Sequence, residues 1–456
     1  MIDQLQFQQR TVAFYTLGCK LNFSETSTIA RHLQEEGFTR IDFRDGADIY
    51  VINTCSVTET AEKKCRYTIN KALRINPGAF IIVTGCFAQL KPENLVNMKG
   101  VDLVLGSNEK LDKSFYRGSL EKRKQAEVHA GNIARDKRFM PSWSSGDRTR
   151  TFLKVQDGCD YFCTYCTIPH ARGRSRNAGV AETVEQAREA GKAGAREIIL
   201  TGVNIGDFGK STGESFFDLL QALEKVENID RFRISSIEPN LLTEEIIRFV
   251  ARSPKFMPHF HIPLQSGSDL VLDLMKRRYD TSLFYDRVEA IHQWIPGAFI
   301  GVDVITGVRG ETDEAFEKTR QFLSDLDVAQ LHVFTYSERP GTQALKIDHH
   351  VPVEERKRRS NVLHEISAHK VRKFYQKHTE SHAKVLFEEH SSDNAMYGFT
   401  ENYIRVEHNY IKELANEIVQ VKLKNISPQT GNMTIEIPKA NSGRDFLQHM
   451  PQNSQL

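Results

Sequence analysis

Three of the seven cysteines fall within one decapeptide, Asp157-Gly158-Cys159-Asp160-Tyr161-Phe162-Cys163-Thr164-Tyr165-Cys166. The spacing is Cys-x-x-x-Cys-x-x-Cys. Three thiolates on one short loop can hold three corners of a [4Fe–4S] cube and leave its fourth iron without a protein ligand. Zinc is the competing metal, but a structural zinc takes four closed ligands, and only His170 stands near as a fourth. Soft thiolates with an open corner favour the iron–sulfur cluster.

A second set, Cys19, Cys55 and Cys86, is dispersed in sequence yet recurs at one kind of position, just past an apolar run: Tyr15-Thr16-Leu17-Gly18-Cys19, Val51-Ile52-Asn53-Thr54-Cys55 and Val83-Thr84-Gly85-Cys86. If the runs are parallel strands, their C-terminal ends share one edge of the sheet, where ligands bind. Three buried structural cysteines are the alternative. The repeated strand-end position, twice beside a glycine, favours a second metal site. Cys65 lies inside a predicted helix, Thr58 to Arg74, and reads as an ordinary residue.

The elements that must position these thiols come in blocks. Residues 1–106 alternate apolar runs with helical patterns, the signature of a doubly wound parallel α/β domain. Residues 107–150 are basic, broken by glycine and proline, and read as a linker. Residues 151–352 contain six further β/α units, which suit a partial (β/α)6 barrel with its chemistry at the C-terminal ends of the strands. Polar residues just past those strands are candidate ligand contacts: Thr201, Gly202, Asn204, Ser236, Glu238, Gln265, Ser266 and Asp303. Capping of barrel turns is the alternative. Residues 353–377 form a basic helical connector, 378–440 a small antiparallel β-barrel of OB-like kind, and 441–456 a flexible tail.

The 456 residues contain no apolar stretch long enough for a membrane span, and the N-terminal residues lack a signal-peptide pattern, so the expected location is cytoplasmic. Seven cysteines are too few for a disulfide scaffold. The net charge of +2 hides local excess: residues 110–150 carry eleven Lys/Arg against five Asp/Glu, and residues 353–377 eight against three. Arg172, Arg174 and Arg176 beside the cysteine loop, and Arg356, Arg358 and Arg359 in the connector, are candidate RNA-phosphate contacts. Solvated surface charge is the alternative reading of both groups.

The Cys159 loop, with Tyr165 before its last cysteine, resembles the radical S-adenosylmethionine (SAM) signature. Together with Thr16-Leu17-Gly18-Cys19-Lys20-Leu21-Asn22, Asn53-Thr54-Cys55-Ser56-Val57-Thr58, Gln156-Asp157-Gly158-Cys159 and Pro263-Leu264-Gln265-Ser266-Gly267-Ser268, it resembles the methylthiotransferase family over residues 11–437. The N-terminal motif forms are closest to the tRNA branch acting on threonylcarbamoyladenosine. The resemblance implies an N-terminal cluster domain, a radical SAM barrel and a C-terminal TRAM domain. It also implies two [4Fe–4S] clusters, SAM bound at the open iron of the Cys159 loop beside Tyr165, and sulfur supplied at Cys19, Cys55 and Cys86.

The implied reaction inserts a methylthio group at C2 of N6-threonylcarbamoyladenosine, at position 37 beside the anticodon. The C2–H bond is unactivated, so a deoxyadenosyl radical from SAM must abstract the hydrogen. The implied partners are a tRNA anticodon stem-loop and a low-potential electron donor, with the enzyme a monomer. Rival readings are methylthiolation of isopentenyladenosine or of a ribosomal protein side chain, and an RNA-binding iron–sulfur carrier without enzymatic activity. One motif departs from the family: Gly307-Val308-Arg309-Gly310-Glu311 stands where relatives show Gly-Phe-Pro-Gly-Glu, which bears on the shape and contacts of that loop.

Overall fold

In the computed structural model, residues 10–56, 58–118, 120–146, 148–389 and 394–438 are described. The tail expected over 441–456 lies outside them. The N-terminal domain is built on strands β1 (Thr11–Thr16), β2 (Thr39–Arg40), β3 (Ile49–Thr54), β4 (Phe80–Gly85), β5 (Leu103–Leu105) and β6 (Glu127–His129). They form one parallel sheet in the order β2-β1-β3-β4-β5-β6. Alternate residues of β3 and β4 serve opposite faces, as a pleat requires. Tyr50, Ile52, Ile81 and Val83 pack on helix α2 (Glu59–Ile75), whereas Ile49, Val51, Phe80 and Ile82 pack on the opposite side with Ile29 and Leu33 of α1 (Lys20–Glu35).

The stretch 107–150 is not a free linker. It supplies β6 to the N-terminal sheet and β7 (Ser142–Trp143) to the next one. Both strands are too short for a periodic signal, and their backbone pairing holds them in place.

The central block has parallel strands β8 (Arg150–Lys154), β9 (Glu197–Thr201), β10 (Arg231–Ile234), β11 (His259–Gln265), β12 (Phe299–Thr306) and β13 (Gln330–Thr335), with β7 antiparallel at one edge. Two hydrogen-bonded sheets meet through a parallel bridge between Ser236 and His261, giving the expected six-unit partial barrel. Its outer helices share a large apolar core with the strands. Helix α1 lies along the β7–β8 edge, where Phe23 meets Phe152 edge-on at 5.8 Å and Ser24 shares a hydrogen bond with Ser142. Residues of α1 are thus buried on both sides, including six polar ones from Asn22 to Thr28.

The last block is a closed barrel of β14 (His382–Phe387), β15 (Ala395–Thr400), β16 (Arg405–Asn409), β17 (Ile418–Ile426) and β18 (Met433–Glu436), in the order β14-β15-β16-β18-β17. Pairing is antiparallel except between β16 and β18, which run parallel. This barrel caps the N-terminal ends of the central strands. Arg233 donates to the carbonyls of Thr400 and Glu401, both at 2.7 Å, and Arg231 to that of Lys384 at 2.9 Å. Among the described residues no helix is long and apolar enough to cross a membrane.

Candidate functional site

Sheet order 2-1-3-4 reverses direction between β1 and β3, the switch point where a parallel sheet opens a crevice at its C-terminal edge. Cys19 follows β1, Cys55 follows β3 and Cys86 follows β4, so the second cysteine set flanks that crevice. Gly18 (φ +102°) lies so close to Cys55 that a Cβ there would meet the cysteine's Cβ at 2.9 Å. The Asn22 amide donates to the carbonyls of Leu17 and Thr54, and the Thr54 hydroxyl to that of Thr84, which stitches the three strand ends together. Cys65 packs instead into the apolar core under α2.

The other set sits on the loop after β8. Gly158 (φ +70°) passes the Arg174 carbonyl so closely that a Cβ would lie 2.0 Å from the oxygen. Gln156 fastens the loop: its amide nitrogen donates to the carbonyls of Asp157 and Gly158, while its oxygen accepts from the Val203 and Asn204 amides. The Cys159 Sγ accepts from the Tyr161 amide and the Cys166 Sγ from the Ile168 amide, both at 3.4 Å. Arg277 donates to the Cys163 Sγ at 3.1 Å and pairs with Glu238. Burial, together with the neighbouring thiols, pushes Cys159 and Cys166 up to about 12, though backbone hydrogen bonds oppose it. Iron must therefore displace protons to bind there.

Among the described residues no three His, Cys, Asp or Glu side chains close in on a single metal ion. A four-iron cube places different demands, because each thiolate reaches its own iron and the sulfurs stand apart around the cube. Two triads of thiols, each at the C-terminal edge of a parallel sheet, fit that group.

The two triads are joined by buried charge. Arg172, at the end of helix α3 (Ile168–Arg172), donates to both carboxylate oxygens of Glu25 on α1 at 3.0 and 3.1 Å, to Asp157 at 2.9 Å and to the Asn22 side chain at 2.6 Å. Lys154 bridges Glu25 and Asp157 at 3.0 and 2.9 Å, Lys110 lies 2.5 Å from Glu25, and Arg176 reaches Asp157 at 3.2 Å. Burial alone would raise the Glu25 carboxyl, yet Arg172, Lys110 and Lys154 hold it well below the usual range. Four cations surround two carboxylates, and the surplus faces Cys86 and Cys19, whose thiols lie within the field of Arg172. A second tie joins Arg339 to Ser56 and Glu62.

Arg172 and Arg176 are therefore not RNA contacts. They are buried, and their guanidinium hydrogens are spent inside the protein. Arg174 is exposed and pairs with Asp160 at 2.9 Å. The connector is corrected likewise. It is helix α4 (Val353–Lys377), and its first turns pack on the Gly307–Glu311 loop. Arg356 lies against Gly307 and binds the carbonyls of Val351 and Tyr336. Arg359 holds Glu311 and Asp313 at 2.8 and 2.6 Å, and Glu311 also accepts from the Gly307 amide. Arg358 is exposed but paired with Glu355. The departing residues fit the same loop: Val308 is buried, and Arg309 pairs with Glu338 at 2.9 Å.

Thr201 and Gln265 end their strands, Gly202, Asn204, Ser236 and Glu238 follow theirs, and Asp303 lies within β12. Asn204 is buried, and neither of its side-chain amide atoms has a hydrogen-bond partner among the described residues. Thr201 is buried at the end of β9, and Gly202 passes Gln156 too closely for a side chain. Ser236 bridges to His261, Asp303 pairs with His261 at 2.6 Å, and Gln265 ends β11 at φ +69°. Glu238 is engaged by Arg277, and Tyr165 packs on the apolar cluster of Val271 and Met275. Ser266 is fully buried and shares a hydrogen bond with Thr319 on the outer helix, so it faces away from the mouth.

Sequence reasoning missed Glu25, Lys110, Lys154, Gln156 and Arg277. Gln156 stood in the Gln156-Asp157-Gly158-Cys159 motif without a role, and the Lys276-Arg277-Arg278 run after a short helix is the visible signal for Arg277. Buried ion pairs across domains leave none.

Comparison with known proteins agrees with this division. The model described as "Uncharacterized protein family UPF0004" matches residues 11–106, and that of the Radical SAM superfamily matches residues 153–323. The threonylcarbamoyladenosine tRNA methylthiotransferase MtaB of Bacillus subtilis is 38% identical over 91% of this chain and 93% of its own. The MtaB of Aquifex aeolicus is 36% identical over 88% of this chain and 98% of its own. Among solved structures, the radical SAM methyltransferase TsrM of Kitasatospora setae, with cobalamin and a [4Fe–4S] cluster bound, superposes with a TM-score of 0.53 at 15% identity, covering 74% of this chain and 77% of that one. That likeness concerns the fold.

Proposed function

The chain belongs to the methylthiotransferase family of radical SAM enzymes, and from that premise we propose how its residues divide the work. It is a tRNA methylthiotransferase that inserts a methylthio group at C2 of N6-threonylcarbamoyladenosine, with two [4Fe–4S] clusters and SAM as its cofactors. Cys159, Cys163 and Cys166 hold the cluster that binds SAM, and Cys19, Cys55 and Cys86 hold the second. When bound, these groups supply the radical that removes the C2 hydrogen and the methylated sulfur that replaces it.

The chain's own residues hold and orient. Gln156 ties the SAM-side cysteine loop to the loop after β9, so the two move as one. Arg277 places positive charge on Cys163 and is itself positioned by Glu238. Asn204, with a free amide in a buried place, is suited to the polar end of SAM, beside Thr201, Gly202, Ser236 and Gln265. Tyr165 stiffens the loop through its apolar contacts.

The RNA is the anticodon stem-loop, with residue 37 unstacked into the barrel mouth; a single-stranded loop makes that move cheaper. Its backbone follows a groove of about 970 Å³ between β13, α4 and the C-terminal barrel, where Arg372 and Arg405 are exposed beside His364 and Phe334. Exposed cations with an aromatic ring suit unpaired RNA. The enzyme acts in the cytoplasm as a monomer, with a low-potential electron donor.

The observation that carries this reading is Arg172, whose one guanidinium touches α1 beside Cys19 and Asp157 beside Cys159. It fixes two cysteine triads against one seam, as transfer between them requires. The test is reaction of reconstituted enzyme, SAM and a low-potential reductant with tRNA carrying threonylcarbamoyladenosine, followed by mass analysis of nucleosides. A product with SCH3 in place of hydrogen at C2 is expected. Conversion of isopentenyladenosine instead, or of neither, would refute it.

A further inference from the structure

Phe162 stands between two of the cysteines assigned to the SAM-side cluster, and it is 42% exposed. Its backbone is left-handed at φ +51°, a conformation that costs a bulky side chain steric energy and persists where function or surroundings demand it. Core packing makes no such demand, since the ring lies at the surface. Glycine would fit this backbone without cost.

Cations from three segments surround this loop. Arg174 holds its guanidinium 5.4 Å from the Phe162 ring centroid, and His170 meets the ring edge-on at 6.2 Å. Residues 274–278 pack against the cysteine loop. Thr164 donates to the carbonyls of Leu274 and Met275, and Arg278 donates to that of Asp160 while lying 4.0 Å over the Tyr161 ring. Residues 133–138 run beside Gly173 and Arg176: Gly173 passes the Ile133 carbonyl closely, and Arg176 donates to the Arg138 carbonyl. Arg135, Lys137, Arg138, Arg174, Lys276 and Arg278 are all exposed. Asp136 and Asp160, the carboxylates nearest them in the chain, are held by Arg138 and Arg174 at 2.6 and 2.9 Å. Part of the basic excess of residues 110–150 thus lands beside the cysteine loop.

The reaction needs an electron at this loop. One electron leaves a donor, passes through the cluster that Cys159, Cys163 and Cys166 hold when it is bound, and is spent in breaking a carbon–sulfur bond of the SAM sulfonium. Methionine and the deoxyadenosyl radical result, and no proton moves. A protein that delivers this electron must bring its redox centre beside Cys163 and then leave, so the contact must be small and transient. Redox encounters have such small interfaces, and opposite charge at the rim speeds them. We propose that the face centred on Phe162 docks an acidic, low-potential electron-carrier protein, whose carboxylates meet the surrounding arginines and lysines while Phe162 forms the apolar centre. This inference rests on the functional reading above and gives its electron donor a place and a chemistry. Unpaired RNA suits the face less well, because Arg174 already lies over the ring on which a base would stack.

The test uses the reconstituted full-length enzyme and an acidic plant-type [2Fe–2S] ferredoxin as probe. Calorimetry reads the affinity for oxidised ferredoxin. Deoxyadenosine formation is then driven either by reduced ferredoxin or by dithionite, which is small enough to need no docking face. Arg174→Glu with Arg278→Glu should weaken ferredoxin binding by about tenfold or more at low salt, and the gap should close as salt is raised. The ferredoxin-driven rate should fall to match, while the dithionite-driven rate and the iron content hold. The corresponding double Gln variant should fall between. Phe162→Gly, which suits the left-handed backbone, should weaken binding several-fold with iron content intact. Absence of binding to wild-type enzyme, or equal affinity of wild-type and charge-reversed enzyme, would overturn the proposal. Equal slowing with dithionite would do the same, since the arginines would then serve the cluster loop. So would lost tRNA affinity with ferredoxin affinity unchanged, which would make the face an RNA contact. Wild-type enzyme that binds ferredoxin in this charge-dependent way yet cleaves no SAM with either reductant would instead sink the functional reading and leave the docking face standing.

Discussion

Arg172→Leu removes the guanidinium that joins the two domains while leaving a side chain of similar bulk. Four hydrogen bonds disappear, to Glu25 twice, to Asp157 and to Asn22. Removing one partner from a buried ion pair costs about 3–5 kcal/mol, because the other charge is left uncompensated. Here Lys110 and Lys154 still face Glu25, and Lys154 and Arg176 still face Asp157, so the lower end, about 3 kcal/mol, is expected. The strain should appear at the seam. Hydrogen exchange of α1 amides should speed up by about two orders of magnitude, since each ~1.4 kcal/mol is tenfold. Arg172→Lys keeps the charge without the fork and should fall between. Arg174→Leu, two residues away, breaks an exposed pair with Asp160 and a contact over the exposed Phe162 ring, and should cost less than about 1 kcal/mol. Equal, small effects from Arg172→Leu and Arg174→Leu would refute the seam as the element that fixes the two triads.

Three further outcomes follow from the same geometry. Replacing Cys19, Cys55 and Cys86 together by Ala should halve the iron of reconstituted protein while SAM cleavage persists; Cys65→Ala, in the core under α2, should change neither. Arg372→Glu with Arg405→Glu should weaken tRNA binding and lower its salt slope by roughly one per lost phosphate contact, whereas Arg356→Glu or Arg359→Glu should destabilise the fold, as thermal unfolding would register. The His332 ring resists protonation until about pH 4 while the unfolded chain accepts a proton near 6.5. The unfolded state therefore binds more protons between those values, and this contribution to stability, complete above about pH 6.5, is lost as pH falls toward 4. An NMR titration of His332 that shows a midpoint near 6.5 would contradict it.

The cysteines were legible because strand ends are legible. Apolar runs of five or six residues mark β1, β3, β4 and β8, and each functional thiol sits on or just past one of them. What failed was inference from charge. Arg172, Arg176, Arg356 and Arg359 look like a basic surface in sequence, yet each is paired with a carboxylate contributed from elsewhere in the fold. Nothing local distinguishes a solvated arginine from one that a distant Glu25 will bury. Short strands were lost for a different reason. β6 spans three residues and β7 two, which leaves no periodicity to read. Ser266 shows the limit of strand-end reasoning: position places a residue near the mouth, but only packing decides which way it faces.

The most direct test of the central claim is mass spectrometry of tRNA nucleosides from cells that lack this protein. The account predicts that 2-methylthio-N6-threonylcarbamoyladenosine disappears, that its unthiolated precursor accumulates in its place, and that the chain with all six cluster cysteines intact restores it while Cys159→Ala does not. Persistence of the methylthiolated nucleoside in those cells, or its restoration by Cys159→Ala, would contradict the account.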